Sequence, residues 1–179
     1  ILVNSATALL FMRGRNSDLN IRGAFLHMAA DALVSAGVVI AGALADRFFE
    51  AQKVMGVLHL AGAALLWHIS SITDPTLFFW MLLAYAICYM PTLGLANTIS
   101  FHQMSEPSRQ FGPIRACGTV GWIVAGFVVG LLAPQLLGHS IEDTNLPLKI
   151  AAGVSVLLGL YCFSLPATPP AAKGRKPSI

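Results

Sequence analysis

Charge is scarce in this sequence. Asp, Glu, Lys and Arg make up 11% of its 179 residues, against roughly 25% in ordinary soluble domains. Hydrophobic residues reach 56% and mean hydropathy is +0.72. A water-soluble domain of this length could not hide so much apolar surface, so lipid must be its solvent. Cysteine is sparse too. Cys88, Cys117 and Cys162 stand singly in apolar stretches, with no CxxC pair and no even framework, which points to packing and not to disulfides or metal ligands. No HExxH, Ser-His-Asp or paired-carboxylate arrangement is present, so an enzyme is not expected. Basic and aromatic residues are not interleaved as a nucleic-acid groove needs, and the net charge of +3 sits mainly in short connections and the tail. The chain opens at Ile1 inside an apolar run without a signal peptide and closes in a Pro- and Lys-rich tail. Both ends are expected to belong to something longer.

What is present is a series of apolar segments. The first, 1–12, is too short to cross a ~30 Å hydrocarbon core, which takes about 20 residues. Segments 21–44, 54–72, 76–98, 116–137 and 147–165 are each expected to cross. The class is therefore an all-α integral membrane protein, multi-pass. Gly126 and Gly130 form a small-xxx-small pair, and Pro91 and Gly94 are expected to interrupt the fourth segment. Cations report orientation. Loop 45–53 holds Arg47 and Lys53, loop 99–115 holds Arg109 and Arg115, and the tail holds Lys173, Arg175 and Lys176. Loops 73–75 and 138–146 hold none, so from residue 45 the connections alternate in, out, in, out, in. Loop 13–22, with Arg13, Arg15 and Arg22, should also be cytoplasmic. One crossing cannot leave both its ends on the same side, so either helix 21–44 does not span or, the favoured reading, the two parts are of different origin.

The wording of the chain supports two resemblances. Residues 13–42, RGRNSDLNIRGAFLHMAADALVSAGVVIAG, resemble the fourth-to-fifth-helix region of cation diffusion facilitators, exporters of zinc and similar ions. Its centre is His27-x-x-x-Asp31, a spacing that puts imidazole and carboxylate one turn apart on one helix face. The resemblance implies that they are half of a tetrahedral site whose other half is absent. That leaves at most weak zinc binding, or a mere hydrogen bond between the two. From residue 42, GALADRFFEAQK resembles the signature between helices two and three of the major facilitator superfamily. Gly42 would let the helix end pack closely, Asp46 would favour a positive helix N-terminus, and Arg47 would pair with Glu50. KVMGVLHLAG, YMPTLGLANTISFHQM, FGPIRACGTVGWIVAG and FSLPATPP make the likeness specific to nucleoside:proton symporters.

These resemblances imply a partition. Residues 1–44 would be a cation-efflux-like fragment and 45–166 helices three to six of a major-facilitator N-terminal half. Residues 167–179 would begin a basic central cytoplasmic loop. The implied function is a fragment of a nucleoside:proton symporter working by alternating access with a missing C-terminal half, inactive alone. The alternative is a zinc-efflux fragment, and a hybrid of the two is the literal reading of the text.

Arg115, Thr119 and Trp122 are the candidate substrate residues, on one helix face by their spacings of four and three. The guanidinium can donate to ribose hydroxyls or base carbonyls, Thr119 adds a hydroxyl, and Trp122 offers a ring for a base to stack on. Arg115 can instead be an anchor at a helix end. Asn97 can line a cavity or bond to a neighbouring helix. Between residues 54 and 165 no Asp or Glu falls inside an apolar segment, so the proton-carrying carboxylate of the implied symporter is expected in the absent half. No cofactor is expected.

Overall fold

Acidic caps and prolines start the helices. Asp18 accepts hydrogen bonds from the backbone N–H groups of Asn20 at 2.7 Å and Ile21 at 3.4 Å. Asp74 accepts from Leu77 N–H at 2.6 Å, with Pro75 in the first turn behind it. A computed structural model describes residues 1–12 and 18–170. Arg13, Arg15 and the tail cations Lys173, Arg175 and Lys176 lie outside the described residues. The helices are α1 (Leu2–Met12), α2 (Leu19–Arg47), α3 (Ala51–Ile69), α4 (Pro75–Gln103), α5 (Pro107–Phe127), α6 (Ala133–Leu137) and α7 (Leu146–Cys162). A π-helical stretch, Val128–Leu132, joins α5 to α6 in one rod. Gly138 ends that rod at φ 75°, a left-handed conformation that favours glycine, and donates to the Pro134 carbonyl at 2.9 Å.

Three helical stretches are long and apolar enough to cross a membrane: Leu19–Arg47, Pro75–Gln103 and Pro107–Leu137. Five crossings are expected from the sequence. The difference lies in α3, where Gln52, Lys53, His59 and His68 dilute the apolar run, and in α7, whose 17 residues reach about 26 Å. The loop expected at 99–115 is also mostly helix. Only residues 104–106 separate α4 from α5, because Pro107 after Glu106 opens a helix nine residues before the apolar run begins. Nor is α4 interrupted: Pro91 lies buried inside a continuous helix.

Helix α3 packs along both α4 and α7, while α2 packs along α1 and α4. Gly37 sets the approach of α2 to α4, since a Cβ there would lie 2.9 Å from Ile87 Cγ2 and 3.3 Å from the Ile87 carbonyl. That carbonyl is the one Pro91, lacking an N–H, leaves without its helical donor. Gly42 meets nothing within 4 Å and does not mediate close packing; nor does Gly126, while Gly130 meets only Glu142 Oε1. Small residues permit close approach, but the neighbouring helix decides where it occurs.

Helices α3 and α7 are joined along their length. Asn145 donates to the Ser70 carbonyl at 3.0 Å at one end. In the middle, His59 Nδ1 lies 3.4 Å from Ser155 Oγ, whose hydroxyl donates to the His59 carbonyl at 3.0 Å. At the other end the segment after α7 folds back. Thr168 accepts from Ala51 N–H at 3.1 Å and donates to Gln52 Oε1 at 2.9 Å, which caps the start of α3 with a distant carbonyl. Below this clamp Ala45, Ala51, Met55, Leu95, Ile99 and Cys162 form a core drawn from α2, α3, α4 and α7. Much of the outer surface is apolar, with Leu10, Leu136 and Leu157 all exposed, as a lipid-facing bundle requires.

Candidate functional site

Three hydroxyls on the second half of α4 are tied to their own helix. Thr92 donates to the Tyr89 carbonyl at 2.6 Å, Thr98 to Gly94 at 3.2 Å and Ser100 to Ala96 at 2.8 Å. Asn97, half-buried among them, has no hydrogen-bond partner among the described residues. The α5 rod meets α4 at few positions, and no residue of α5 is buried. Phe101 and Phe111 stack across the start of that contact, centroids 4.5 Å apart and 24° between planes.

Beside this stack a groove of about 590 Å³ runs between α4 and α5. It brings together Asn97, Ser100, Phe111, Arg115, Thr119 and Trp122. The three substrate candidates on α5 therefore share a cleft, and α4 supplies the facing wall. Arg115 does not sit at the helix start, as the sequence suggests, but two turns inside α5. It forms no ion pair among the described residues, whereas Arg109, nearer the start, is held 3.4 Å from Glu106. Thr119 makes no back-bond to its helix, and Trp122 is 80% exposed. The groove thus offers a guanidinium with five donors, a free hydroxyl, a free amide and an indole face.

The other sequence candidates lie elsewhere. Asp46 and Arg47 are exposed at the end of α2. The pairing of Arg47 with Glu50 does not form, because Glu50 is taken by Lys53 at 3.1 Å and by Gln52 Nε2 at 2.8 Å. His27 Nε2 and Asp31 Oδ2 are 3.6 Å apart, an exposed pair beyond hydrogen-bond length. Among the described residues no group of three or more His, Cys, Asp or Glu is placed to hold a metal. Two donors alone do not enclose a tetrahedral ion. Trp67 and His68 are exposed at the end of α3, and Lys149 Nζ lies 5.9 Å from the Trp67 ring centroid. This is an interfacial arrangement. The His59–Ser155 contact had no signal in the sequence, because α3 and α7 are distant in the chain.

An all-helical bundle with membrane-capable helices and an apolar exterior is a multi-pass membrane protein. Comparison with known proteins narrows this. The family model described as Nucleoside H+ symporter matches residues 8–178, and the chain belongs to that family. YegT of Escherichia coli strain K12, which bears the name of a nucleoside transporter, is 47% identical over 76% of this chain and 32% of its own length. The xanthosine permease of the same strain is 35% identical over 91% of the chain and 39% of its own. The nucleoside permease NupG of that strain is 35% identical over 72% of the chain and 30% of its own. The crystal structure of a variant of the nucleoside transporter NupG superposes with a TM-score of 0.71 at 33% identity, over 83% of this chain and 37% of that one. The fold is shared over that extent. The chain spans about a third of the length of the curated relatives it matches, all of which are named as transporters or permeases and none as an enzyme. The resemblance of residues 1–44 to cation diffusion facilitators finds no support, since the family match begins at residue 8 and extends past residue 44.

Proposed function

We propose that this chain is part of a nucleoside:proton symporter and that the groove between α4 and α5 is a wall of its nucleoside path. Helices α3, α4, the α5–α6 rod and α7 correspond in this reading to helices three to six of a major-facilitator N-terminal half, with the central loop starting near residue 167. The observation that carries it is the meeting of Arg115, Thr119 and Trp122 in one groove. A base stacked on the Trp122 ring gains about 1–3 kcal/mol. Arg115 donates to ribose hydroxyls or a base carbonyl, and Thr119 both donates and accepts. Transport then proceeds by alternating access of this half against a second one. Proton coupling needs a titratable group in the path. Glu50, Asp74 and Glu106 are spent at helix starts, and Glu142 and Asp143 lie in the connection before α7. No carboxylate falls inside α3, α4, the α5–α6 rod or α7, so in this reading the coupling carboxylate lies outside residues 54–165.

The test is equilibrium binding of radiolabelled uridine to the chain in lipid nanodiscs. Arg115→Ala should weaken binding at least about tenfold, the loss of one charged hydrogen-bond donor, with unchanged insertion and helix content. Undiminished binding would remove Arg115 from the site and the groove from the proposal.

A further inference from the structure

We infer that Asn97 is the specificity-determining residue of this groove, reading the hydrogen-bonding edge of the base. The inference rests on the groove being a nucleoside site and adds what selects among nucleosides. Its basis is elimination among the polar groups that line the cleft. Ser100 has spent its hydroxyl proton on the Ala96 carbonyl, so it can accept but cannot pair with an adjacent carbonyl and N–H together. Trp122 presents a ring face, and stacking accepts every base because every base has a π-face. Arg115 carries donors only, so it can hold ribose oxygens or a carbonyl but cannot recognise an N–H. Thr119 has a hydroxyl that rotates freely and serves either role, which discriminates little. The remaining wall, with Leu93, Ala96 and Phe111, is apolar.

Asn97 differs from all of these. Its amide fixes one acceptor and two donors in a plane. It is half-buried, where water satisfies it less well than it would on an open surface, and it has no partner among the described residues. Accessible and unpaired within the protein, it is open to a ligand. Its planar acceptor–donor pair matches an adjacent carbonyl and N–H on a base edge, the bidentate geometry by which Asn and Gln read bases in nucleic acids. It stands on α4, across the cleft from Arg115 and Thr119. A nucleoside with its ribose toward Arg115 and its ring on Trp122 would turn its edge toward α4. The ligand class is therefore a nucleoside whose base carries an unblocked imide or amide edge.

The experiment compares uridine with N3-methyluridine, which keeps the ribose and the ring face but loses the N–H. Both are titrated into the full chain in nanodiscs. The unaltered chain should prefer uridine by about tenfold, the discrimination expected of one bidentate contact. In Asn97→Ala, and in the near-isosteric Asn97→Leu, that ratio should fall to about one. Arg115→Ala should weaken both ligands alike and leave the ratio in place. A ratio unchanged in both Asn97 variants, with Arg115→Ala still weakening both, overturns the role of Asn97 and leaves the nucleoside site standing. Arg115→Ala without effect on either ligand, or no binding of either ligand by the unaltered chain, overturns the nucleoside site and Asn97 with it.

Discussion

The crossing of α3 and α7 supplies a quantitative test of the fold. At Gly56 on α3 a Cβ would lie 2.9 Å from Phe163 Cε2 and 3.0 Å from the Gly159 carbonyl. At Gly159 on α7 a Cβ would lie 2.9 Å from Leu60 Cγ and 3.2 Å from the Gly56 carbonyl. The two glycines therefore face one another: the Phe163 ring and the Leu60 side chain can shift, but the opposing backbone carbonyls at 3.0 and 3.2 Å cannot yield without moving a helix. Gly153, on the same helix as Gly159, has nothing within 4 Å of its Cβ position. Alanine for glycine raises helix propensity by about 1 kcal/mol at either site on α7, so the pair Gly159→Ala and Gly153→Ala cancels that gain. What remains is the steric cost of forcing the helices apart, about 1–3 kcal/mol for overpacking a tight contact. That difference is roughly a 5- to 150-fold change in the folded-to-unfolded ratio. Reversible unfolding in mixed micelles, followed by circular dichroism, measures it. Gly56→Ala should behave like Gly159→Ala. If Gly153→Ala and Gly159→Ala change stability equally, α3 and α7 do not cross at these glycines and the packing described above is wrong.

Two further outcomes follow from particular contacts. Gln52→Leu removes the acceptor for the buried Thr168 N–H, at a cost of about 1–3 kcal/mol, and amide exchange at Thr168 should quicken while that at Leu58 does not; equal protection before and after would show that the strap is held by something else. With Cys117 replaced by serine, Ser140→Cys should react with an impermeant thiol reagent in intact cells and Ser105→Cys only after permeabilisation, as the cation distribution requires; the reverse pattern would invert the orientation.

The elements were legible where apolar runs are long, and their ends were legible only through caps. Segment 76–98 became Pro75–Gln103 with little change at its start, where Asp74-Pro75 is a plain signal. The start of α5 was missed because Ser108, Arg109, Gln110 and Arg115 lower the hydropathy there, although Glu106-Pro107 marks a helix start. The common face of Arg115, Thr119 and Trp122 could be read from spacing alone, since an α-helix repeats every 3.6 residues. The facing wall could not. That Asn97 looks into the same groove depends on how α4 and α5 pair, and that Gly56 meets Gly159 depends on α3 and α7 pairing across most of the chain. Local pattern reports which surfaces a helix can offer; the partner is chosen by the whole bundle.

The length of α2 bears on Arg22, the one cation of the front connection among the described residues. Its 29 residues extend about 44 Å, against a hydrocarbon core of about 30 Å. Several turns must therefore stand in the headgroup layers or beyond. Arg22, exposed and one turn from the Asp18 cap, falls within such an overhang, where a long cationic side chain reaches phosphate or water at small cost. The excess of Lys and Arg on cytoplasmic loops is a bias, and the first helix does not always dominate it. Packing bears on the same question independently. Gly37, Ala41 and Ala45 recur every four residues along α2, with Gly37 against Ile87 of α4 and both alanines buried. This stripe passes through residue 44 without a change of phase, and Ala45 enters the same core cluster as Met55 of α3 and Cys162 of α7. In the structure α2 thus packs against α4 and contributes to the same core as α3 and α7.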